Sequence, residues 1–158
     1  YARLPDSTEQ VLHPEKYAAG EEPVEVPLDA AALAKAMGAG WVGTPEDTMG
    51  EFQLSVWLRE NGVKALAAGD AAAGWGGDRL AYLRGPDGAY ALALATTWDT
   101  SNDAREFYEA ASTASARLPG AARVTWPNQR GGQPSSVWVF VASDAATLDR
   151  LQASATGL

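Results

Sequence analysis

The chain has 158 residues, of which 46% are hydrophobic, and a formal net charge of −8. It has no cysteine and one histidine, which excludes disulfides, thiolate metal sites, a cysteine nucleophile and a zinc site built on two or three imidazoles. An acidic surface repels phosphate backbones and anionic lipids, so we expect no nucleic-acid partner, and no apolar run is long enough to span a membrane.

The N-terminal third carries most of the acidic excess. Residues 1–51 hold ten of the twenty acidic residues but only three of the twelve basic ones. Prolines at positions 5, 14, 23 and 27 disfavour a long helix in the first thirty residues. We therefore predict that residues 1–47 form an extended, acidic, proline-rich arm with a short helix over residues 30–38, and that residues 48–158 form the folded domain.

The remaining chain shows alternating helix and strand patterns. Helices are predicted over residues 49–60, 63–73, 101–118 and 144–155, and strands over residues 79–84, 89–98, 122–127 and 136–142. The first of these helices has the spacing of a capping box that begins at Thr48. Residues 127–134 are predicted to be a loop. This order predicts an α+β fold of two layers: an antiparallel sheet of about four strands, with helices packed on one face and the N-terminal arm outside it.

The strand over residues 89–98 has two different apolar faces. One face carries only alanines, which favours close approach of a helix, whereas the other carries larger side chains from Tyr90 to Trp98 and needs a cover. We expect the arm to supply that cover. The predicted core includes Phe107, Leu118, Val139, Leu148 and Leu151.

A glycine-rich segment, Gly74-Trp75-Gly76-Gly77-Asp78-Arg79, precedes the predicted sheet. It lacks the Lys-Ser/Thr pair of a phosphate loop and leads into a strand rather than a helix. The favoured interpretation is structural, with Trp75 buried, Gly76 or Gly77 at positive φ, and Asp78 accepting local hydrogen bonds. The alternative is a recognition loop in which Trp75 and Arg79 contact a ligand.

Other polar residues give weaker signals. Asp99 precedes a predicted helix, and the run from Asp99 to Asp103 is too sparse for a calcium loop. His13 is expected to be structural. The candidate binding residues are therefore Trp75, Asp78, Arg79 and Asp99, and we predict no catalytic residue, no metal ligand and no cofactor.

Four segments carry a family resemblance: residues 7–17, 48–52, 72–79 and 98–107. Together they resemble the C-terminal half of a family of exported bacterial and archaeal surface proteins, whose N-terminal half carries a His-Glu-x-x-His zinc-peptidase-like helix. This sequence has no His-Glu-x-x-His segment. The chain begins at Tyr1 rather than at Met, so it is expected to be either a mature product or a piece of a longer protein, and the resemblance favours the second.

The resemblance implies an extracytoplasmic setting, in the periplasm, the cell envelope or the cell surface. It implies a non-catalytic accessory or partner-binding domain, whose partner is a protein: either the N-terminal half or another envelope component. The alternative hypothesis is the C-terminal fragment of a zinc-peptidase-like hydrolase whose catalytic half is missing.

Overall fold

The computed structural model describes residues 3–126 and 135–156, which form seven α-helices and five β-strands. The predicted loop over residues 127–134 lies outside this range. The helices are α1 (Thr8–Leu12), α2 (Pro14–Ala19), α3 (Ala30–Met37), α4 (Gly50–Glu60), α5 (Ala65–Ala72), α6 (Ser101–Ser115) and α7 (Ala145–Thr156). The strands are β1 (Val42–Gly43), β2 (Trp75–Arg84), β3 (Tyr90–Trp98), β4 (Ala121–Thr125) and β5 (Ser136–Ala142).

The five strands form one antiparallel sheet in the order β1-β2-β3-β5-β4. This confirms the predicted α+β class and places all four predicted strands in one sheet. The fifth strand, β1, comes from the segment assigned to the arm, where Val42 pairs with Arg84. Strand β2 begins at Trp75 rather than at residue 79, because its pairing with β3 continues past a bulge between Trp75 and Gly77 to reach Trp98.

Helices cover both faces of the sheet. Helices α4, α5 and α6 pack on the face that carries Leu94 and Trp98, whereas α3 and α7 pack on the alanine face around Ala93. The expectation of helices on one face is therefore wrong. The arm was expected to cover the face with the larger side chains, but its helix α3 packs on the alanine face instead. Both faces of β3 are apolar and need burial, so the fold has three layers instead of two.

The N-terminal segment contains more regular structure than an extended arm. Helix α1 packs against α4, and α3 inserts Leu33 and Met37 into the core, where they are 0% and 2% exposed. Of the predicted core residues, Leu118 is only half-buried. The other four are buried. Within the part of the chain that the structure describes, none of the helices combines the length and hydropathy that a membrane span requires.

Candidate functional site

The segments that carry the resemblance meet at the N-terminus of α4. The Asp78 carboxylate accepts the backbone N–H of Met49 (2.8 Å) and of Gly50 (2.7 Å), and the Trp75 indole N–H (2.8 Å). The first turn of a helix leaves backbone N–H groups without helical acceptors. The Asp78 carboxylate, which comes from β2, accepts two of them. Asp78 therefore takes the capping role predicted for Thr48, whose hydroxyl instead donates to the Asp78 backbone oxygen.

The electrostatics of Asp78 follow from this position. The side chain is buried, at 4% exposure. Burial raises the pKa of Asp78 above its ordinary value, while the three N–H donors act in the opposite direction. The carboxylate is thus fully engaged within the protein, as the structural interpretation of the glycine-rich segment predicted, and the predicted burial of Trp75 is also confirmed, at 1% exposure.

The glycines of this segment have a different role from the predicted one. Positive φ occurs at Gly74 (75°), whereas Gly76 and Gly77 have strand geometry, so the expectation for those two is wrong. Gly77 is required for close approach: a Cβ there would overlap the backbone oxygen of Val24. Val24 in turn donates its N–H to the Gly76 oxygen at 2.7 Å, which fastens the N-terminal segment to β2.

Lys16 joins three carboxylates close to the same place. Its ammonium donates to Glu9 (2.7 Å), Glu21 (3.0 Å) and Asp99 (2.5 Å). Burial lowers the pKa of Lys16, but the three carboxylates outweigh it and hold the pKa above its usual value. Lys16 is therefore a permanent cation and is unsuited to act as an amine nucleophile.

The three carboxylates around Lys16 have the spacing of cation ligands. One oxygen from each of Glu9, Glu21 and Asp99 lies within 4.8 Å of the others. The Lys16 ammonium already takes the position between them that a metal ion would need. The single charge of Lys16 thus pairs with all three carboxylates and offsets one of their three negative charges.

His13 and Glu51 form a third connection. The ring Nε2 lies 2.9 Å from Glu51 Oε1, and Nδ1 lies 3.5 Å from a Glu15 carboxylate oxygen. The hydrogen bond to Glu51 is the main reason that the pKa of His13 is raised. Glu51 is 5% exposed, so this pair fixes the start of α2 to the first turn of α4.

We call these six residues the polar junction: Glu9, His13, Lys16, Glu51, Asp78 and Asp99. Three of the four predicted binding residues belong to it or adjoin it, since Trp75 bonds Asp78. Arg79 follows Asp78 in the chain and acts on it through its charge, but it lies on the sheet face of Ala81, where its register partner is Ala95. Sequence reasoning missed the roles of Glu9, Lys16 and Glu51, although each of them lies in a segment that carries the resemblance.

An apolar pocket lies on the face of the sheet that carries Leu94. Its volume is about 450 Å³. Its lining is apolar or aromatic throughout and consists of Met49, Trp57, Leu80, Tyr82, Tyr90, Leu92, Leu94, Leu118, Pro119, Val139 and Val141. Strands β2, β3 and β5 form its floor, α4 forms one wall, and the segment after α6 forms the other.

The wall after α6 is held by specific contacts. The Tyr90 hydroxyl donates to the Pro119 backbone oxygen at 3.1 Å. Gly120 has a φ of 82°, and a Cβ there would overlap the Ala142 backbone oxygen, so glycine lets this segment approach β5 closely. Leu118 is half-buried because it borders the pocket. The sequence predicted the apolar face of β3. It did not predict which part of that face the helices leave uncovered.

Comparison with known proteins gives one match. A family model described as a domain of unknown function (DUF8575) matches residues 33–156. No curated protein and no solved structure gives a significant match. The matched range contains every residue that lines the apolar pocket, but Glu9, His13 and Lys16 of the polar junction lie outside it.

Proposed function

The chain belongs to the DUF8575 family. We propose that it is a non-catalytic binding domain whose binding site is the apolar pocket. The observation that carries the proposal is the pocket itself. Its volume of about 450 Å³ and its apolar and aromatic lining are typical of small-molecule sites. Its walls are fixed by backbone packing and the Tyr90 hydrogen bond, so it is preformed.

The polar junction supports binding over catalysis. An acid, base or nucleophile must keep a group available to a substrate. Lys16 is shared among three carboxylates, Asp78 accepts three N–H groups, and the His13 ring lies between two carboxylates. These contacts engage Lys16, Asp78 and His13 within the protein, whereas Glu51 Oε2 is buried without a hydrogen-bond partner among the described residues.

The extent of the family match also supports the pocket. A site shared by the family must lie within the matched range. The pocket meets this condition completely, whereas three of the six junction residues lie before the first matched residue, Leu33.

The setting drawn from the resemblance belongs to the same proposal. A non-catalytic domain with a preformed pocket suits an accessory or partner-binding role in an extracytoplasmic envelope protein. Cell fractionation with an antibody to this domain tests the location. The alternative, a fragment of a zinc-peptidase-like hydrolase, is tested by comparing the intact mass of the isolated protein with that encoded by its gene.

The binding proposal is tested with N-phenyl-1-naphthylamine, a neutral apolar dye whose fluorescence rises on burial. We expect saturable binding of one dye per chain. Leu92→Trp should abolish it, because Leu92 is half-buried on the pocket floor and the larger side chain fills the space. Leu66→Trp is the matched control, since Leu66 is 79% exposed on α5 and does not line the pocket.

Both variants are first checked by thermal unfolding, so that loss of dye binding is read only from folded protein. Loss of binding in Leu92→Trp with retention in Leu66→Trp supports the proposal. Absence of saturable binding to the wild-type chain, or equal binding by folded Leu92→Trp and Leu66→Trp, overturns it.

A further inference from the structure

Arg84 stands at the rim of the apolar pocket. Arg84 is the last residue of β2, and it is exposed. Side chains two residues apart on a strand share a face, so Arg84 lies on the same face as Tyr82 and Leu80, which line the pocket. In the register of the sheet Arg84 is directly opposite Tyr90, another lining residue. The Cβ atoms of such a pair lie about 5 Å apart.

Four of the eight arginines within residues 3–126 and 135–156 have no ion pair: Arg79, Arg84, Arg117 and Arg150. Arg3, Arg59, Arg105 and Arg123 each lie within ion-pair distance of a carboxylate. Within residues 3–126 and 135–156, Arg84 has no such partner. Its other neighbour across the sheet is Val42, which is 58% exposed. The rim at this end therefore combines the Arg84 guanidinium, which has no ion pair among the described residues, with apolar surface.

The shape of the pocket favours a narrow ligand over a protein surface. The floor residues Leu94, Val139 and Val141 are 3%, 1% and 9% exposed, and Tyr82 is the only lining residue among the exposed large hydrophobic residues of the described chain. A stable protein interface buries about 800 Å² on each partner. The pocket instead offers a recess with little exposed apolar area around it, which suits a small molecule that inserts into it.

The acidic residues nearest this end in the fold are Asp47, whose backbone bridges Leu80, and Asp87, in the turn after β2. Among the described residues, neither forms an ion pair with Arg84. The lining contributes no charge of its own, so a charged group buried among these residues would be unpaired. A charged head group must therefore stay at the rim, where Arg84 can pair with it.

We infer that the pocket binds an amphiphilic anion, with its hydrocarbon chain in the apolar recess and its carboxylate paired with the Arg84 guanidinium. This inference rests on the proposed function and deepens it by naming the ligand class. Arginine suits this role because its planar guanidinium binds a carboxylate through two parallel N–H groups.

The test compares two ligands that differ only in the head group. Decanoate and decanol each compete with N-phenyl-1-naphthylamine for wild-type protein, for Arg84→Gln and for Arg150→Gln at low ionic strength. Arg150 is the matched control, because it is exposed on α7, on the opposite side of the sheet. Each variant loses one positive charge, so a general charge effect appears equally in both.

We expect the ratio of the affinity for decanoate to that for decanol to fall about tenfold in Arg84→Gln, because one charge-assisted contact is lost. The ratio should be unchanged in Arg150→Gln, and the dye should bind all three proteins alike. In wild-type protein the preference for decanoate should weaken at high salt.

An unchanged ratio in Arg84→Gln, or an equal fall in both variants, overturns the inference. Failure of decanoate to displace a bound dye also overturns it. In each of these cases the dye still binds, and the proposed function stands. Absence of dye binding to the wild-type chain contradicts the proposed function itself, so the two failures are distinguishable.

Discussion

The indole N–H of Trp75 donates to the Asp78 carboxylate at 2.8 Å, although the two residues are three positions apart on one strand. In a regular strand such residues point to opposite faces. The bulge between Trp75 and Gly77 adds the residue that brings both side chains to one side. The same carboxylate caps α4, so a single irregularity in β2 joins the sheet to the helix beside the pocket.

Asp78→Asn should destabilise the protein by about 2–3 kcal/mol. The amide keeps one oxygen acceptor, but its NH2 group must face an N–H donor, so at least one buried donor loses its partner. Urea unfolding at pH 7 measures the change. Asp70→Asn, at an exposed position on α5, is the control and should change the stability by less than about 0.5 kcal/mol. Equal effects at both positions would show that the cap contributes nothing.

Lys16→Met should be destabilising by about 1–3 kcal/mol, because it leaves Glu9, Glu21 and Asp99 close together without a countercharge. Calcium should recover part of this loss, since three carboxylates with oxygens within 4.8 Å can then take a cation. Thermal unfolding with and without millimolar calcium checks both effects.

Lys35→Met is the control for this cluster, because Lys35 is exposed on α3 and its loss should leave both the stability and the calcium response unchanged. If calcium raises the melting temperature of wild-type protein and of Lys16→Met equally, the three carboxylates are not the site of its action.

His13 should titrate with a pKa above 6.5, the ordinary value for histidine. It is the only histidine of the chain, so its NMR signal is unambiguous. Glu51→Gln should return the pKa of His13 towards 6.5, because the hydrogen bond to Glu51 is the main cause of the shift. A pKa that stays the same in Glu51→Gln would mean that the two side chains do not pair in solution.

The same pair makes a pH-dependent contribution to stability. The pKa of His13 is raised in the folded state, so the contribution is fully present below the unfolded value of about 6.5 and is lost as pH rises through the folded value. The difference in unfolding free energy between wild-type protein and His13→Gln should therefore be larger at pH 5.5 than at pH 9. Urea unfolding at the two pH values measures it, and a difference that grows with pH would contradict the pairing.

Gly77→Ala and Gly69→Ala should change stability in opposite directions. A Cβ at Gly77 overlaps the Val24 oxygen, so the alanine should cost about 1–3 kcal/mol and loosen the N-terminal segment. Gly69 lies inside α5 with no atom within 4 Å of its added Cβ, and alanine there should stabilise by up to about 1 kcal/mol. Unfolding free energies of the two variants decide the matter, and a neutral Gly77→Ala would show that β2 and Val24 can separate without cost.

The strands of the sheet could be predicted because the sequence signals for them, alternation and turn residues, are local. The alternation from Ala89 to Trp98 and the turn before it define a hairpin without knowledge of the rest of the chain. The layer order was not predictable in the same way, because both faces of β3 are apolar and the pattern does not say which helix covers which face. The short strand β1 was missed because two residues carry no periodicity.

The polar junction could not be predicted from the sequence for a related reason. Lys16 and Asp99 lie 83 residues apart, and His13 and Glu51 lie 38 apart, so no spacing rule connects them. The burial of Trp75 and the hydrogen bonds to Asp78 were correctly predicted. The positive φ at Gly76 or Gly77 was not, because Gly77 serves the close approach of the Val24 backbone instead. The pocket depends on where α6 ends relative to the sheet, which is a property of packing.

The most direct test of the binding site is methyl NMR of the labelled protein during titration with decanoate. We predict that the largest shift changes occur at Leu92, Val139 and Val141, whose methyl groups line the pocket, and that they saturate together. The methyl signals of Leu33 and Leu148, on the opposite face of the sheet, should not shift. Changes confined to that opposite face, or no saturable change at all, would contradict the assignment of the pocket as the binding site.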